Sequence, residues 1–337
     1  MDVTGHIAVV GAGSWGTALA HLLGQKGYHV DLWVFEREVY DCFLSHRENK
    51  AFLPNVIISE NIHPCNDLEQ VVAQHHFVVL AVPSHVLRTI AGMMKPFLMQ
   101  DAIIVTATKG IENDSLLTMT QVLSDVLPSD YHNRLAVISG PTFAREVARN
   151  TPTALTVASY DQNIAQQAQT TFAADFFRVY TSHDVRGVEL GGALKNVIAI
   201  AAGVSDGLNL GHNTRAALIT RGLTEMRRLG VKMGADPRTF YGLTGMGDLV
   251  LTCTSDLSRN RTVGMKLAQG FKLNDILKDM CMVAEGVKTT KSVYDLSKKL
   301  GVDMPIAEQT YDMLYMDVEP LLALKKLMTR SLKDELE

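Results

Sequence analysis

One segment of the chain is apolar except for a single lysine, and this lysine is a candidate for a chemical role. Lys195 lies within GGALKNVIAI at 191–200 and is the only charged residue between Glu189 and Asp206. Burying an ammonium group is costly unless a partner compensates it. Burial or a neighbouring cation would lower the pKa of this lysine, which could then give a proton to a carbonyl oxygen or take one from an alcohol. The alternative is a lysine with a buried stem and a head group in water.

A glycine-rich loop near the amino terminus has the spacing of a dinucleotide-binding motif. In GAGSWG, the residues Gly11, Gly13 and Gly16 follow a strand-like run and begin a helical pattern, which is the context that the motif requires. The three glycines would permit a tight turn, close approach of a pyrophosphate, and close packing of helix on strand, in that order. The helix N-terminus would present N–H groups to the anion. A glycine-rich turn without a ligand is the alternative.

The residue about 20 positions beyond the last glycine often contacts the adenosine ribose of a bound dinucleotide. That position is Glu36, with Phe35 before it and Arg37 after it. Glu36 favours NAD through the ribose hydroxyl, whereas Arg37 could hold the 2′-phosphate of NADP. Because both residues could also be solvated, the sequence predicts NAD or NADP without choosing between them.

Further polar residues stand where other predicted strands end. Ligands of open α/β sheets collect beyond the carboxyl ends of the strands. One end supplies Pro83 and Ser84, which could lie against the cofactor, and the next supplies Lys109. A third end supplies Gly140 and Thr142 before a new helix. Lys109 is either part of a site at this edge or an ordinary surface lysine.

The segment TGMGDLVLTCTSDLSRNR carries a candidate anion site. Its glycines predict a flexible turn around Asp248, whose carboxylate could orient a catalytic lysine or accept a substrate hydroxyl. Arginine binds phosphate oxygens bidentately, and Ser and Asn add hydrogen bonds. The alternative is a helix cap with solvated arginines. One phosphate site and one lysine indicate a small phosphorylated alcohol or ketone, and the residues that would surround it are Ser258, Arg259, Asn260 and Arg261.

The elements that must position these residues divide the chain into two parts. The first part alternates apolar runs with helical patterns, which is typical of βαβ units. After about residue 184 strand-like runs nearly disappear. We therefore predict an α/β fold: a Rossmann-like, doubly wound, mostly parallel sheet in a dinucleotide-binding domain at 1–187, then an all-helical substrate domain at 188–337. The predicted strands lie at 6–11, 29–35, 76–83, 102–110, 134–141, 152–159 and 176–182.

Composition narrows the classes of function. The 337 residues are 47% hydrophobic, enough for about two domains, and the net charge of −4 gives no reason to expect a nucleic-acid partner. The four cysteines form no C-x-x-C pair and no metal-like spacing with histidine, which predicts reduced thiols in the cytoplasm and no metal. The apolar stretch at 3–25 is broken by GAGSWG, so we expect neither a membrane span nor a signal peptide.

Several longer motifs resemble one family over nearly the whole chain. They are VVGAGSWGTALA, ATKGIE, ISGPTFAREVA, LGGALKNVIAIAAGVSDGL, LTGMGDLVLTCTSDLSRNR and VAEGVKTTKSVYDLSKKLGVDMPIAEQTY. The chain resembles the bacterial NAD(P)-dependent glycerol-3-phosphate dehydrogenases. The resemblance implies reversible reduction of dihydroxyacetone phosphate to sn-glycerol 3-phosphate for phospholipid synthesis, with Lys195 as proton donor and acceptor, and a homodimer as a candidate assembly.

The resemblance also implies a set of site residues. Lys109 and Asp248 would join Lys195 as catalytic residues. Two residues after the tryptophan of DLW the family often has Arg or His, whereas this chain has Phe35. The residues implied near the cofactor are Ser14, Trp15, Lys109, Ala144, Arg259, Val283 and Glu285. Those implied near the substrate are Lys109, Gly140, Thr142, Lys195, Asp248, Ser258, Arg259 and Asn260.

Two other functions fit parts of the pattern. A β-hydroxyacid dehydrogenase also pairs an amino-terminal glycine motif with a lysine helix, but it needs a pocket for a carboxylate. A non-catalytic nucleotide sensor would keep the glycine loop and would not need Lys109, Lys195 and Asp248 together. Cofactor oxidation with a panel of ketones would separate the three hypotheses.

Overall fold

The computed structural model describes residues 5–280 and 284–335, and these residues form ten strands. Eight strands belong to one large sheet, and two form a small antiparallel pair. The strands are β1 (His6–Val10), β2 (His29–Trp33), β3 (Glu48–Asn49), β4 (Leu53–Ile57), β5 (Ile62–Cys65), β6 (Phe77–Leu80), β7 (Ile103–Thr106), β8 (Leu135–Ser139), β9 (Thr153–Ala158) and β10 (Phe177–Ser182).

The large sheet has the order β10-β9-β8-β7-β6-β1-β2-β5, and its neighbouring strands are parallel except for the antiparallel pair β8 and β9. Strands covered on both faces need apolar residues throughout. Accordingly, every residue of β6 (FVVL) and β8 (LAVIS) is buried. The chain reverses its direction of winding between β1 and β6, which is where doubly wound sheets bind ligands. The predicted fold class is confirmed.

Helices cover both faces of this sheet. Alternation along β1 sends Ile7 and Val9 into one core and Ala8 and Val10 into the other. The first core contains residues of α1 and α7, and the second contains residues of α3, α4 and α5. These helices and their neighbours are α1 (Ser14–Gln25), α2 (Arg37–His46), α3 (Leu68–Val72), α4 (Leu87–Met94), α5 (Met119–Val126), α6 (Ala144–Val147) and α7 (Gln162–Phe172).

The second half of the described chain is helical and is built around one long central helix, α8. That helix is buried along nearly its whole length and packs against α9, α10, α11 and α13. The helices of this half are α8 (Val185–Gly207), α9 (Gly211–Lys232), α10 (Asp248–Thr254), α11 (Arg259–Ala268), α12 (Leu273–Lys278), α13 (Glu285–Leu300), α14 (Pro305–Tyr315) and α15 (Pro320–Met328).

By length and composition, α8 could cross a membrane, but its apolar window is 100% buried inside the protein. It is therefore explained as the core helix of the second half. One buried carboxylate also fixes α8 to the sheet half. Glu189 accepts hydrogen bonds from the backbone N–H of Thr120 at 2.6 Å and from its hydroxyl at 2.7 Å. The predicted domain division at residue 187 falls in the first turn of α8.

Two expectations differ from the structure. The segment 48–65 forms β3, β4 and β5, which were not predicted because β3 has only 2 residues and because β4 and β5 contain proline. Proline is tolerated at the edge of a sheet, and β5 is an edge strand.

The predicted flexible turn around Asp248 is also wrong. Residues Leu243–Gly247 form a π-helical turn that runs directly into α10. A Cβ on Gly245 would lie 2.1 Å from the carbonyl oxygen of Phe240, so this glycine permits close packing.

Candidate active site

A cavity of about 560 Å³ lies at the carboxyl edge of the sheet, where the helical half covers it. Its lining comes from the turns after the central strands and from α8, α10, α11 and α13. A cavity at the point where a doubly wound sheet reverses is the expected place for a ligand. The predicted site residues that line it are Gly11, Gly13, Ser14, Trp15, Phe35, Glu36, Lys109, Thr142, Ala144, Lys195, Asp248, Ser258, Arg259, Asn260 and Glu285.

The glycine loop forms one end of this cavity. Gly11 has a φ of +111°, and a Cβ there would lie 2.8 Å from the carbonyl oxygen of Ala81. A Cβ on Gly16 would lie 1.9 Å from the carbonyl oxygen of Gly11, so α1 begins directly against the end of β1. Around Gly13, in contrast, no atom of the described residues other than Gly13 and its two chain neighbours lies within 4 Å of a Cβ position. The loop is therefore a cradle with open space at the N-terminus of a 12-residue helix.

The first residues of α1 also fit a bound dinucleotide. The Ser14 hydroxyl donates a hydrogen bond to the carbonyl oxygen of Phe52 at 2.6 Å, which fixes the neighbouring hairpin against the loop. Trp15 lines the cavity, and its buried indole Nε1 has no hydrogen-bond partner within residues 5–280 and 284–335. Buried polar groups are nearly always paired in native proteins. The indole N–H is therefore an unsatisfied buried donor and not an exposed group of the cavity surface.

The structure separates the three residues predicted to choose between NAD and NADP. Phe35 and Glu36 line the cavity, and the Phe35 side chain is 74% exposed with its ring beside that of Trp33. Arg37 is the first residue of α2 and is absent from the cavity lining. Its Nε lies 3.2 Å from Oδ1 of Asp41 on the solvent side of the helix.

Opposite the glycine loop, one carboxylate joins two lysines. Asp248, only 1% exposed, accepts a hydrogen bond from the Lys109 ammonium at 2.8 Å through Oδ2 and one from Lys195 through Oδ1. Lys109 also donates to the carbonyl oxygen of Gly140 at 3.2 Å. Lys195 donates a second hydrogen bond to the Thr252 hydroxyl at 2.9 Å. The fold thus brings together the three residues predicted to be catalytic, and the ammonium of Lys195 is buried rather than in bulk water.

This environment changes the acidity of Lys195. Burial, aided by the positive charge of Lys109, lowers the pKa of the Lys195 ammonium from 10.5 to about 8, although Asp248 acts in the opposite direction. A group with a pKa near 8 can both give and take a proton near neutral pH. The geometry and the acidity of Lys195 therefore both suit proton transfer to a ligand in the cavity.

The residues of the SRNR segment, 258–261, have different roles: one caps a helix, one arginine is structural, and others line the cavity. Ser258 precedes α11, and its hydroxyl oxygen accepts a hydrogen bond from the backbone N–H of Arg261 at 3.2 Å, so the helix cap is present. The guanidinium of Arg261 is held by Asp206 at 2.6 Å and by Asp256 at 2.7 Å. Arg261 therefore stabilises the helical half and is absent from the cavity lining.

Arg259 differs from Arg261 in forming no ion pair with an acidic side chain of the described residues. It lines the cavity, and within residues 5–280 and 284–335 its guanidinium makes no hydrogen bond or ion pair. Desolvation by the surrounding protein lowers the pKa of the Arg259 guanidinium. The nearby charge of Glu285 acts in the opposite direction and is the smaller effect. Because arginine stays protonated in proteins, the cavity contains a fixed cation that can bind an anion.

Asn260 and Asn196 form a buried pair beside the lysine. The Asn260 amide donates to Oδ1 of Asn196 at 2.9 Å, and Oδ1 of Asn260 accepts from the backbone N–H of Gly286 at 2.9 Å. These contacts join α8, α11 and α13 at the cavity.

The side chain of Glu285, next to Gly286, accepts hydrogen bonds from the Ser84 hydroxyl at 2.6 Å and from the Ser84 backbone N–H at 3.3 Å. Ser84 therefore positions Glu285 instead of lining the cavity.

Some residues of the site were missed by the sequence analysis, and one lies outside the described residues. Thr252 could have been found, because it stands four residues after Asp248 and so shares a helix face with it. Phe52 has no such signal, since it comes from the unpredicted hairpin. Asn196 directly follows Lys195 and so points elsewhere on the helix, and its contact with Asn260, 64 positions away, has no local signal. Val283 lies outside the described residues.

A glycine cradle at the reversal point of a Rossmann-like sheet, facing a buried lysine, defines the class of nicotinamide-dependent dehydrogenases. Models of one family match both halves of the chain. The N-terminal model of NAD-dependent glycerol-3-phosphate dehydrogenase matches residues 6–165, and its C-terminal model matches residues 184–325. The chain belongs to the NAD-dependent glycerol-3-phosphate dehydrogenase family, and the resemblance found in the sequence is confirmed.

Individual relatives agree with this assignment. The chain is 55% identical over 337 residues to a glycerol-3-phosphate dehydrogenase (NAD(P)+) of Syntrophobacter fumaroxidans, covering 100% of this chain and 99% of the relative. It is 56% identical over 332 residues to that of Syntrophotalea carbinolica, covering 98% and 100%. The solved glycerol-3-phosphate dehydrogenase of Coxiella burnetii is 39% identical, with a TM-score of 0.92 over 96% of this chain and 99% of that one.

Proposed function

We propose that the protein catalyses reversible hydride transfer between NAD(P)H and dihydroxyacetone phosphate, giving sn-glycerol 3-phosphate for phospholipid synthesis in the cytoplasm. The observation that carries the proposal is the pairing of Lys195, a proton-transfer group held by Asp248, with Arg259, a cation that forms no ion pair within the described residues, in one cavity. Membership of the family supports the same reaction. No nucleic-acid partner is expected, and the homodimer stays a prediction that sedimentation velocity would check.

The cofactor would occupy the end of the cavity near the glycine loop. The open space at Gly13 fits a pyrophosphate there, and Trp15 lines the same end of the cavity. Glu36 would contact the adenosine ribose, with Phe35 beside the adenine. When bound, the reduced nicotinamide supplies the hydride. Further residues proposed to contact the cofactor are Gly11, Ser14, Gly16, Lys109, Ala144, Arg259 and Glu285.

At the other end of the cavity, Lys195 would donate a proton to the ketone oxygen during reduction and remove one from the alcohol during oxidation. Asp248 holds the Lys195 and Lys109 ammonium groups by its two oxygens, so it orients both. Two ammonium groups and one carboxylate leave one net positive charge beside the reacting oxygen. That charge stabilises the negative charge that develops on the oxygen in the transition state.

The substrate phosphate would bind Arg259 at the start of α11. The N-terminus of this 10-residue helix also favours an anion. Ser258 and Asn260 line the same part of the cavity, and the substrate would lie between them and Lys195. Gly140 and Thr142 would bound its other side, where the Gly140 carbonyl oxygen accepts hydrogen bonds from Lys109 and Thr142.

The experiment that tests the proposal is cofactor oxidation with a panel of ketones. We expect NADH or NADPH to be consumed with dihydroxyacetone phosphate far faster than with dihydroxyacetone or with a β-keto acid. Faster reaction with the keto acid would favour a β-hydroxyacid dehydrogenase. Cofactor binding without turnover of any ketone would favour a nucleotide sensor and would contradict the proposal.

The acidity of Lys195 predicts opposite pH profiles for the two directions. In reduction the ammonium form is required, so kcat/KM should fall as pH rises through about 8, the pKa of Lys195. In oxidation the neutral amine is required, so kcat/KM should rise through the same range. Initial rates measured in both directions from pH 6 to 10 would check this, and profiles with the same slope in both directions would contradict it.

Lys109→Met provides a control for that assignment. The charge of Lys109 lowers the pKa of Lys195, so its removal should shift the inflection of both profiles to higher pH. A variant with reduced rates and an unmoved inflection would place the titrating group elsewhere.

A second prediction concerns cofactor choice. We expect both NADH and NADPH to be used, because Glu36 favours the ribose hydroxyl and Arg37, once it leaves Asp41, would turn towards a 2′-phosphate. Arg37→Ala should raise KM for NADPH more than KM for NADH, as measured with saturating ketone. Asp41→Ala is the matched control: it frees Arg37 from its ion pair and should lower KM for NADPH. Equal changes for both cofactors would remove Arg37 from the 2′-phosphate site.

A further inference from the structure

A cluster of histidines lies at the amino ends of the strands, at the edge of the sheet away from the cavity. Strand register creates the cluster. His6 of β1 is paired with His29 of β2, and Asp31 of β2 is paired with His63 of β5. Paired residues of parallel strands point to the same face, and residues two apart on one strand do so as well. All four side chains therefore share one face of the sheet.

The side chains approach one another closely. One ligand atom from each of His6, His29 and Asp31 can be chosen so that all three lie within 4.8 Å of one another. His29 Nε2 lies 3.4 Å from Oδ1 of Asp31. That separation is longer than a usual N–H···O hydrogen bond. It matches the distance of about 3.3 Å between two ligands on a tetrahedral zinc ion with bonds near 2.0 Å.

The surroundings hold two of these ligands in place. Oδ2 of Asp31 lies 2.9 Å from Nε2 of His75, which is a contact at ion-pair distance without the straight geometry of a hydrogen bond. Nδ1 of His75 lies 2.8 Å from the carbonyl oxygen of Ala73, which fixes the ring. The ring of His63 is stacked on that of His29, with centroids 3.9 Å apart. Metal-binding carboxylates and imidazoles are typically fixed by outer contacts of this kind.

We propose that His6, His29 and Asp31 form a binding site for a zinc ion, with water as the fourth ligand. Two imidazoles and one carboxylate suit zinc among the common divalent ions. The three ligands contribute one negative charge, and His75 keeps one Asp31 oxygen occupied so that the other faces the metal. His6 and His29 are exposed enough to make the small rotations that shorten the widest ligand separation.

The site departs from the sequence expectation of no metal. Its ligands are separated by up to 25 positions and fit no spacing motif, so only the strand register brings them together. Gly11 of the cofactor loop lies at the other end of β1, about 16 Å away for 5 residues at roughly 3.3 Å each. The metal would therefore join the starts of β1 and β2 and stabilise the fold rather than take part in hydride transfer.

Calorimetric titration with zinc sulfate alone tests the proposal. The protein is prepared without a histidine tag, stripped with a chelator and dialysed. We expect one zinc ion per chain and a higher Tm with zinc than without it. His29→Ala should lower the affinity at least 100-fold, and His75→Ala, which removes an outer contact, about 10- to 100-fold. His212→Ala changes an exposed histidine of α9 and should leave the affinity unchanged.

Substitution with cobalt identifies the geometry, because a tetrahedral site with nitrogen and oxygen ligands gives intense visible absorption. Dehydrogenase activity of His29→Ala should equal that of the unsubstituted protein, which shows that the variant is folded. The proposal is overturned if zinc does not bind saturably. It is also overturned if His29→Ala binds as tightly as the unsubstituted protein, or if His212→Ala loses as much affinity as His29→Ala.

Discussion

Lys195→Met is expected to lower turnover by about 10²–10⁴-fold, which is the usual contribution of general acid–base catalysis. Methionine keeps most of the length of the lysine stem, so the packing of α8 is largely retained while the ammonium is lost. Without it, the ketone oxygen loses the group that is proposed to protonate it. Asp248 would keep its contact with Lys109 and so would remain paired.

The measurement is kcat in both directions, together with NADH affinity by fluorescence titration. Cofactor affinity should change little, because Lys195 lies at the substrate end of the cavity. Lys195→Arg is an informative companion: it keeps a positive charge but holds its proton too tightly, so it should be nearly as inactive. A Met variant with near-normal turnover would disprove the proton-transfer role.

Lys26→Met is the matched control. Lys26 is also a lysine whose pKa burial lowers, and its ammonium donates hydrogen bonds to the carbonyl oxygens of Thr170 and Thr171 at 2.9 and 2.8 Å. It lies between α1 and α7, outside the cavity lining. Its replacement should lower the free energy of unfolding without a comparable loss of kcat. A similar loss in both variants would mean that Lys195→Met acts through the fold.

The arrangement of Asp248 also explains why a carboxylate is needed between the two lysines. An ammonium group without a partner in this environment would be strongly disfavoured, because the desolvation of a buried charge costs several kcal/mol. Asp248 compensates for that cost at Lys195 while Lys109 keeps the net charge of the group positive. The lysine is thereby stable as a cation and is still able to release its proton.

The amino-acid sequence predicted the strands that are continuous apolar runs bounded by turn residues. Strands β1, β6 and β8 fall within the predicted segments 6–11, 76–83 and 134–141. It did not predict β4 and β5, since LPNVI and IHPC are interrupted by proline and polar residues. These strands form because neighbouring segments provide hydrogen-bond partners, which the local sequence does not reveal.

Residues of the candidate site could be predicted from the sequence where they stand at the end of a predicted strand or on one face of a predicted helix. Lys109 was found because carboxyl ends of parallel strands share one edge. Its contact with Asp248 spans 139 positions and has no local signal. Likewise, the SRNR pattern by itself did not distinguish Arg259 from Arg261, although the family resemblance implied Arg259 alone. Successive helical residues differ by about 100°, so the two arginines point in very different directions, and only Asp206 and Asp256 show which one is structural.

Arg259→Ala is expected to lower kcat/KM for dihydroxyacetone phosphate by roughly 30-fold or more. A dianionic phosphate needs a fixed cation, and the Arg259 guanidinium forms no ion pair within the described residues, although the charge of Glu285 is nearby. Removing one member of a desolvated, hydrogen-bonded charge pair costs about 2–5 kcal/mol, and 1.4 kcal/mol corresponds to about tenfold. Arg259→Lys should recover only part of the loss, because it keeps the charge but not the planar fork that matches two phosphate oxygens.

A comparison with dihydroxyacetone, which lacks the phosphate, distinguishes loss of phosphate binding from effects of the substitution on the cofactor or the fold. It should be a poor substrate of the unsubstituted protein, and Arg259→Ala should lower its kcat/KM much less than that of dihydroxyacetone phosphate. Some weakening of cofactor binding is expected for both substrates, because Arg259 and Glu285 line the cavity together. That weakening is common to both substrates. The ratio of the two fold losses in kcat/KM therefore measures the contribution of the phosphate contact alone. If the penalty were the same with and without the phosphate, Arg259 would act through the cofactor or the fold, and the phosphate site would have to lie elsewhere.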